Sequence, residues 1–171
     1  NKNITLSAGV TFNAGNFNAI HQLEVFRNFT NNGLVQFSNS AQFTAAVNGA
    51  VNLKFSGLTG AVLACNSNTN LYTLIVNKGI DAGTSLQVTS ALSGNLQLFT
   101  NGDAVQLLIG TLRLNVNNTI TRVNGGTIFQ IPSTSRLWVD GASVLINGSA
   151  NGIQVDGEFK ISSGTFSIGN E

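Results

Sequence analysis

The tripeptide Val139-Asp140-Gly141 returns sixteen residues later as Val155-Asp156-Gly157, with Glu158 directly behind it. Stacked on successive turns of a coiled chain, the two units would bring three carboxylates together. Such a group could hold calcium, which seeks clustered hard oxygen ligands, or act as the paired carboxyls of a glycosidase. Asp140, Asp156 and Glu158 are therefore the candidate calcium ligands. The plainer reading is that each Asp opens an Asp-Gly turn. On that reading no catalytic residue, resident metal or cofactor is assigned. The other acids, Glu24, Asp81, Asp103 and Glu171, are scattered along the chain.

His21 is the single histidine, and Glu24 stands three residues on. In a strand, residues three apart point to opposite faces, so the two do not form a local acid–base pair. The single cysteine lies in Ala61-Val62-Leu63-Ala64-Cys65. With no base or basic cluster beside it, it reads as a small buried apolar residue and not as a reactive thiol. Trp138, in Arg136-Leu137-Trp138-Val139, is the one large aromatic that could stack on a sugar. Its alternation with Leu137 and Val139 suggests core or lateral packing instead, and it remains the candidate ligand contact. No Gly-x-Ser-x-Gly elbow occurs, and Asn124-Gly125-Gly126 lacks the Lys and following helix of a phosphate loop. Sequons at Asn3, Asn28, Asn117 and Asn147 are as many as the Asn-, Ser- and Thr-rich composition produces by chance.

The elements that must position these groups are short strands. Leu34-Val35-Gln36-Phe37, Leu71-Tyr72-Thr73-Leu74-Ile75-Val76, Leu112-Arg113-Leu114-Asn115-Val116 and Phe159-Lys160-Ile161 combine β-favouring residues with Gly, Asn, Ser or Asp boundaries. No window carries an apolar stripe of helical period. Asn-Gly recurs at Asn32, Asn48, Asn101, Asn124, Asn147 and Asn151, and Asp-Gly at Asp140 and Asp156. These dipeptides suit antiparallel hairpins, but also the corners of a solenoid. Repetition favours the solenoid: Gly110-Thr111-Leu112-Arg113-Leu114, Gly126-Thr127-Ile128-Phe129-Gln130-Ile131 and Gly164-Thr165-Phe166-Ser167-Ile168 are variants of one unit. The predicted fold is all-β, a right-handed parallel β-helix (β-solenoid) spanning residues 1–171. Repeats of about 16 to 25 residues give about eight rungs and a rod on the order of 40 Å long. An antiparallel β-sandwich is the alternative.

Composition narrows the function classes. Only 9% of residues are charged, against about 25% in ordinary globular proteins. The net charge is +1, with lysines and arginines placed singly, so no nucleic-acid partner is expected. No apolar run approaches the ~18 residues of a membrane span. Phe is common (11 copies, against one Trp and one Tyr), which suits a stacked interior and not the aromatic girdles of a membrane barrel. Met is absent, and strand-like residues run to both ends, so a fragment of a longer protein is expected.

Several runs resemble a known family. Gln22 to Phe37, with Asn28-Phe29-Thr30-Asn31-Asn32-Gly33 at its centre, resembles the repeating unit of large repetitive surface proteins of Bacteroidetes. Val51 to Gly57, Leu71 to Gly79 and the stretch from Leu86 to Asn115 are similar to the steps that follow it there. The resemblance implies a parallel β-solenoid within a long, secreted, adhesin-like protein, exported by the type IX route and displayed on the cell surface. It implies a structural or adhesive role without enzymatic activity. Its partners would be neighbouring rungs of the same parent chain or like chains, with surface polysaccharide a further candidate. A carbohydrate-binding or carbohydrate-cleaving β-helix and a trimeric phage or fibre β-structure are the alternative functions.

Overall fold

Alternating apolar residues can be buried along a strand only if another strand covers the same face, and here each turn of the chain is covered by the next. The computed structural model describes residues 3–15, 19–38, 49–92, 94–98, 104–115, 119–120, 128–147 and 152–169. The first turn holds β1 (Ile4–Leu6), β2 (Thr11–Asn13) and β3 (Ile20–Val25). The second holds β4 (Phe29–Asn31), β5 (Leu34–Gln36) and β6 (Ala50–Gly57). The third holds β7 (Ala61–Cys65), β8 (Thr69–Leu71) and β9 (Thr73–Lys78). The fourth adds β10 (Ser85–Ser90), β11 (Leu96–Leu98) and the first half of β12 (Val105–Asn115). Beyond it come β13 (Thr119–Ile120), β14 (Phe129–Ile131), β15 (Ser135–Asn147), β16 (Ile153–Val155) and β17 (Glu158–Gly169).

Every paired strand is parallel to its partner. The one antiparallel contact among the described residues is an isolated bridge between Ser38 and Ala50. The antiparallel sandwich is thereby ruled out, and the fold is an all-β parallel solenoid. Its first side is a ladder of seven strands, β1-β4-β7-β10-β12-β15-β17. The second side is β2-β5-β8-β11, and the third is β3-β6-β9-β12. β14 and β16 form a separate pair.

The solenoid makes about five turns, with seven strands in its longest ladder, fewer than the eight rungs expected. The reason lies in the corners. One inward column runs Ile4, Phe29, Leu63, Val88, Leu114, Val139, Ile161, so a turn takes 22 to 34 residues. The shorter sequence repeats therefore do not mark turns. Val139-Asp140-Gly141 lies inside β15, with Val139 paired to Ile161, whereas Val155 ends β16 opposite Ile131. The two Val-Asp-Gly units differ in conformation, Gly141 taking a φ of 103° within β15 and Gly157 lying against the Pro132 and Ser135 carbonyls, and they do not stack.

The interior is a set of such columns. Ala61, Leu86, Leu112, Leu137 and Phe159 form a second one on the first side. Val25, Phe55, Val76 and Leu107 form one on the third side. Phe29, Leu63, Val88, Leu86, Leu112, Leu137 and Val139 are wholly inaccessible to solvent. In parallel register each apolar side chain lands on its equivalent one turn away, and this repeated burial supplies most of the stability of a solenoid.

Two polar residues share this interior. Asn31 is fully buried where the first side turns into the second. Its amide nitrogen donates to the Asn68 carbonyl and the Thr69 hydroxyl, both at 2.9 Å, and its Oδ1 accepts from Gly33 N–H. Lys78, at the opposite corner, is also wholly buried. Its ammonium donates to the Phe26 carbonyl at 3.1 Å and to the Ser56 carbonyl. Burial, reinforced by the charge of Arg27, pushes its pKa below the usual lysine value. β12 passes from the third side to the first at Gly110, whose φ is 97°. A Cβ there would strike the Lys78 carbonyl oxygen, so only glycine fits.

Candidate functional site

Charge is sparse in this chain, and the outward side of β12, β15 and β17 gathers an unusual share of it. Side chains on a parallel ladder project outward in rows, one residue per strand. One row here is Gln87, Arg113, Trp138 and Lys160, and the next is Ser85, Thr111, Arg136 and Glu158. Arg113 carries its guanidinium carbon 4.2 Å from the centre of the Trp138 ring, and the Lys160 ammonium lies 4.0 Å from the same centre. The two cations reach the ring from the strands on either side of it, a cation–π arrangement on both. Trp138 Nε1–H donates to Ser162 Oγ at 2.8 Å.

The acids of this surface are engaged by the arginines. Arg113 Nε donates to Asp140 Oδ2 at 2.8 Å. Arg136 pairs with its register partner Glu158 at 2.5 Å. Lys160 is exposed, and among the described residues it makes no ion pair.

The structure separates the candidate calcium ligands. Asp140 is bound to Arg113, Glu158 to Arg136, and Asp156 accepts from Gln154 Nε2 at 2.7 Å. Among the described residues no group of three His, Cys, Asp or Glu side chains is arranged to hold a metal ion. Trp138 lies outward and half-buried, in lateral packing, and a sugar stacking on its face would have to displace Arg113 or Lys160.

His21 and Glu24 lie on opposite faces of β3, as their spacing requires. His21 is exposed opposite Val51. Glu24 accepts from Ser56 Oγ at 2.7 Å and pairs with Lys54 at 3.0 Å, and these two bonds hold its carboxyl below the usual range. Cys65 is a buried free thiol whose pKa is pushed up to about 12 by burial. That leaves no thiolate at neutral pH and hence no nucleophile.

Of the sequons, Asn3 ties the first turn to the second and Asn28 the second to the third through their side-chain oxygens, which accept from Asn28 N–H and Val62 N–H. Asn147 ends β15, and Asn117 lies outside the described residues, as do Asp103, Glu171 and Asn124-Gly125-Gly126. One cleft of about 200 Å³ opens between β12 and β14, against Val105, Leu107, Leu108, Ile128 and Phe129 with Gln106 and Gln130. It offers no titratable group for acid–base work.

The chain matches no protein-family model, curated protein or solved structure with which it was compared. Function therefore rests on the geometry alone. That geometry has a row of cations alternating with one aromatic, no converging acids among the described residues, and a core that repeats along the axis.

Proposed function

We propose that this chain is a structural, adhesive segment of a long secreted protein of the bacterial cell surface, without catalytic activity. The observation that carries the reading is the unbroken inward column from Ile4 to Ile161, which makes length by repetition of one packing solution. A stack of this kind extends by adding turns without redesign of its core, which is what a spacer needs. The half-exposed Ile161 and Ile168 on β17 suit a further rung, of the same parent chain or of a like chain, lying against that strand. The likeness of the Asn28 to Gly33 region to Bacteroidetes surface repeats gives the cellular setting, and the type IX route follows from that likeness.

Antibody raised against the chain tests the proposal on the source cells. Labelling of intact cells, lost on brief surface proteolysis, is the expected result. Labelling only after lysis would refute a surface role. A polysaccharide-cleaving activity of the chain that disappeared on Asp140→Asn, Asp156→Asn or Glu158→Gln would refute the absence of catalysis.

A further inference from the structure

We propose that the outward side of β12, β15 and β17 binds an acidic polysaccharide, a hydroxyl-rich polymer carrying carboxylates along its length. Each of these successive strands contributes one cation: Arg113, Arg136 and Lys160. A linear polyanion lying along the solenoid axis therefore meets a positive group at every ladder step of about 4.8 Å. Among the described residues two acids, Asp140 and Glu158, pair with these three cations. Lys160 is exposed and, among the described residues, makes no ion pair. A guanidinium fork favours carboxylate geometry. The neighbouring Gln87 and Ser162 are neutral hydrogen-bonding groups of the kind that meet sugar hydroxyls.

The same geometry disfavours the other partners this surface brings to mind. A neutral sugar needs an open aromatic face, and the Trp138 ring is held between Arg113 and Lys160. A nucleic-acid strand needs free aromatic faces for its bases and a strongly positive field, whereas this chain carries a net charge of +1. The positive excess is small and local, three cations against two acids among the described residues.

The single tryptophan of the chain lies in the row, so its fluorescence reports on the site directly. Titration with polygalacturonate is expected to give a saturable change in Trp138 emission that weakens as salt is raised. Lys160→Gln, at an exposed position, is expected to weaken binding by roughly 2- to 5-fold, the size of one surface charge contact. Glu158→Gln, which releases Arg136 from its competing acid, is expected to tighten it. Affinity electrophoresis supplies a second readout that does not depend on the indole. Equal binding of fully methyl-esterified polygalacturonate would overturn the proposal, because no carboxylate would be read. Tighter binding of single-stranded DNA would overturn it in favour of nucleic acid. No response to polygalacturonate by either method would overturn it as well, and would leave the spacer reading, which rests on surface labelling, untouched.

Discussion

If the columns of inward side chains carry the stability, truncation in mid-column and at its end should differ by about 1–4 kcal/mol. Leu112 sits between Leu86 and Leu137, and all three are wholly inaccessible. Leu112→Ala loses the transfer free energy of a buried leucine, about 1.5–3 kcal/mol. It also leaves a cavity with turns above and below it, which brings the expected cost to about 2–5 kcal/mol. Ile161 ends its column on the last strand and is 50% exposed. Ile161→Ala forfeits roughly half the transfer term and closes no cavity, so about 1 kcal/mol is expected. Urea unfolding followed by circular dichroism measures both, provided the slope of the transition is unchanged between variants. The double variant Leu112→Ala with Leu137→Ala should depart from additivity, because the two residues are register partners. Equal costs at Leu112 and Ile161 would refute the reasoning, since the column would then not be the source of cohesion.

Three further outcomes follow from particular residues. Gly110→Ala, which forces a Cβ toward the Lys78 carbonyl at a φ of 97°, should cost more than about 3 kcal/mol, whereas Gly141→Ala, at a φ of 103° but in open space, should cost only the backbone term of about 1–2 kcal/mol; thermal denaturation separates them. Lys78 is harder to protonate when folded than when unfolded, so the unfolded chain binds more protons between its lowered pKa and about 10.4; stability from this group should rise with pH through that window, and a Lys78→Met variant should show a flatter urea-midpoint profile. Cys65, with its thiol pushed up to about 12 and fully buried, should resist aromatic disulfide reagents in native buffer and react at once in denaturant; rapid native labelling would contradict its placement.

Strand parity in the sequence carries the core. Phe29, Leu112 and Leu114 are inward because they alternate with polar neighbours, and a period of two leaves no other choice. The same parity marks Asn31, two residues after Phe29, and Lys78, two after Val76, as inward polar residues. Their partners were not legible. Lys78 bonds to Phe26, 52 residues away, and Asn31 to Asn68, 37 away, and such distances depend on the length of every corner between. Corner length also explains the overcounted rungs. The Gly-Thr pairs at Gly110 and Gly164 report a local backbone need, a positive φ, and Gly141 of the first Asp-Gly pair shares it whereas Gly157 of the second does not, so such pairs do not count turns. For the same reason the proximity of Asp140 to Asp156 in repeat phase did not become proximity in space. Trp138 between Arg113 and Lys160 required the register of three strands, each about 25 residues apart.

The scarcity of charge becomes intelligible from the ladder itself. In a parallel solenoid an outward residue sits about 4.8 Å from its equivalent on the next turn. Two like charges at that distance would repel by roughly 1 to 3 kcal/mol at effective dielectric constants of about 80 to 20. Neutral amides carry no such penalty, and Asn13, Gln36, Asn70 and Gln97 occupy one outward row in unbroken register. Three pairs of opposite charge are set across adjacent strands. Glu24 faces Lys54, Arg136 faces Glu158, and Arg113 reaches Asp140. Arg113 and Lys160, like charges in one row, have Trp138 set between them, which doubles their separation and gives each cation a π face. Trp138→Ala would bring no new charge, yet should leave Arg113 and Lys160 without that partner. The ladder thus explains the neutrality of most of the surface and singles out the Trp138 row as the place where the chain departs from it.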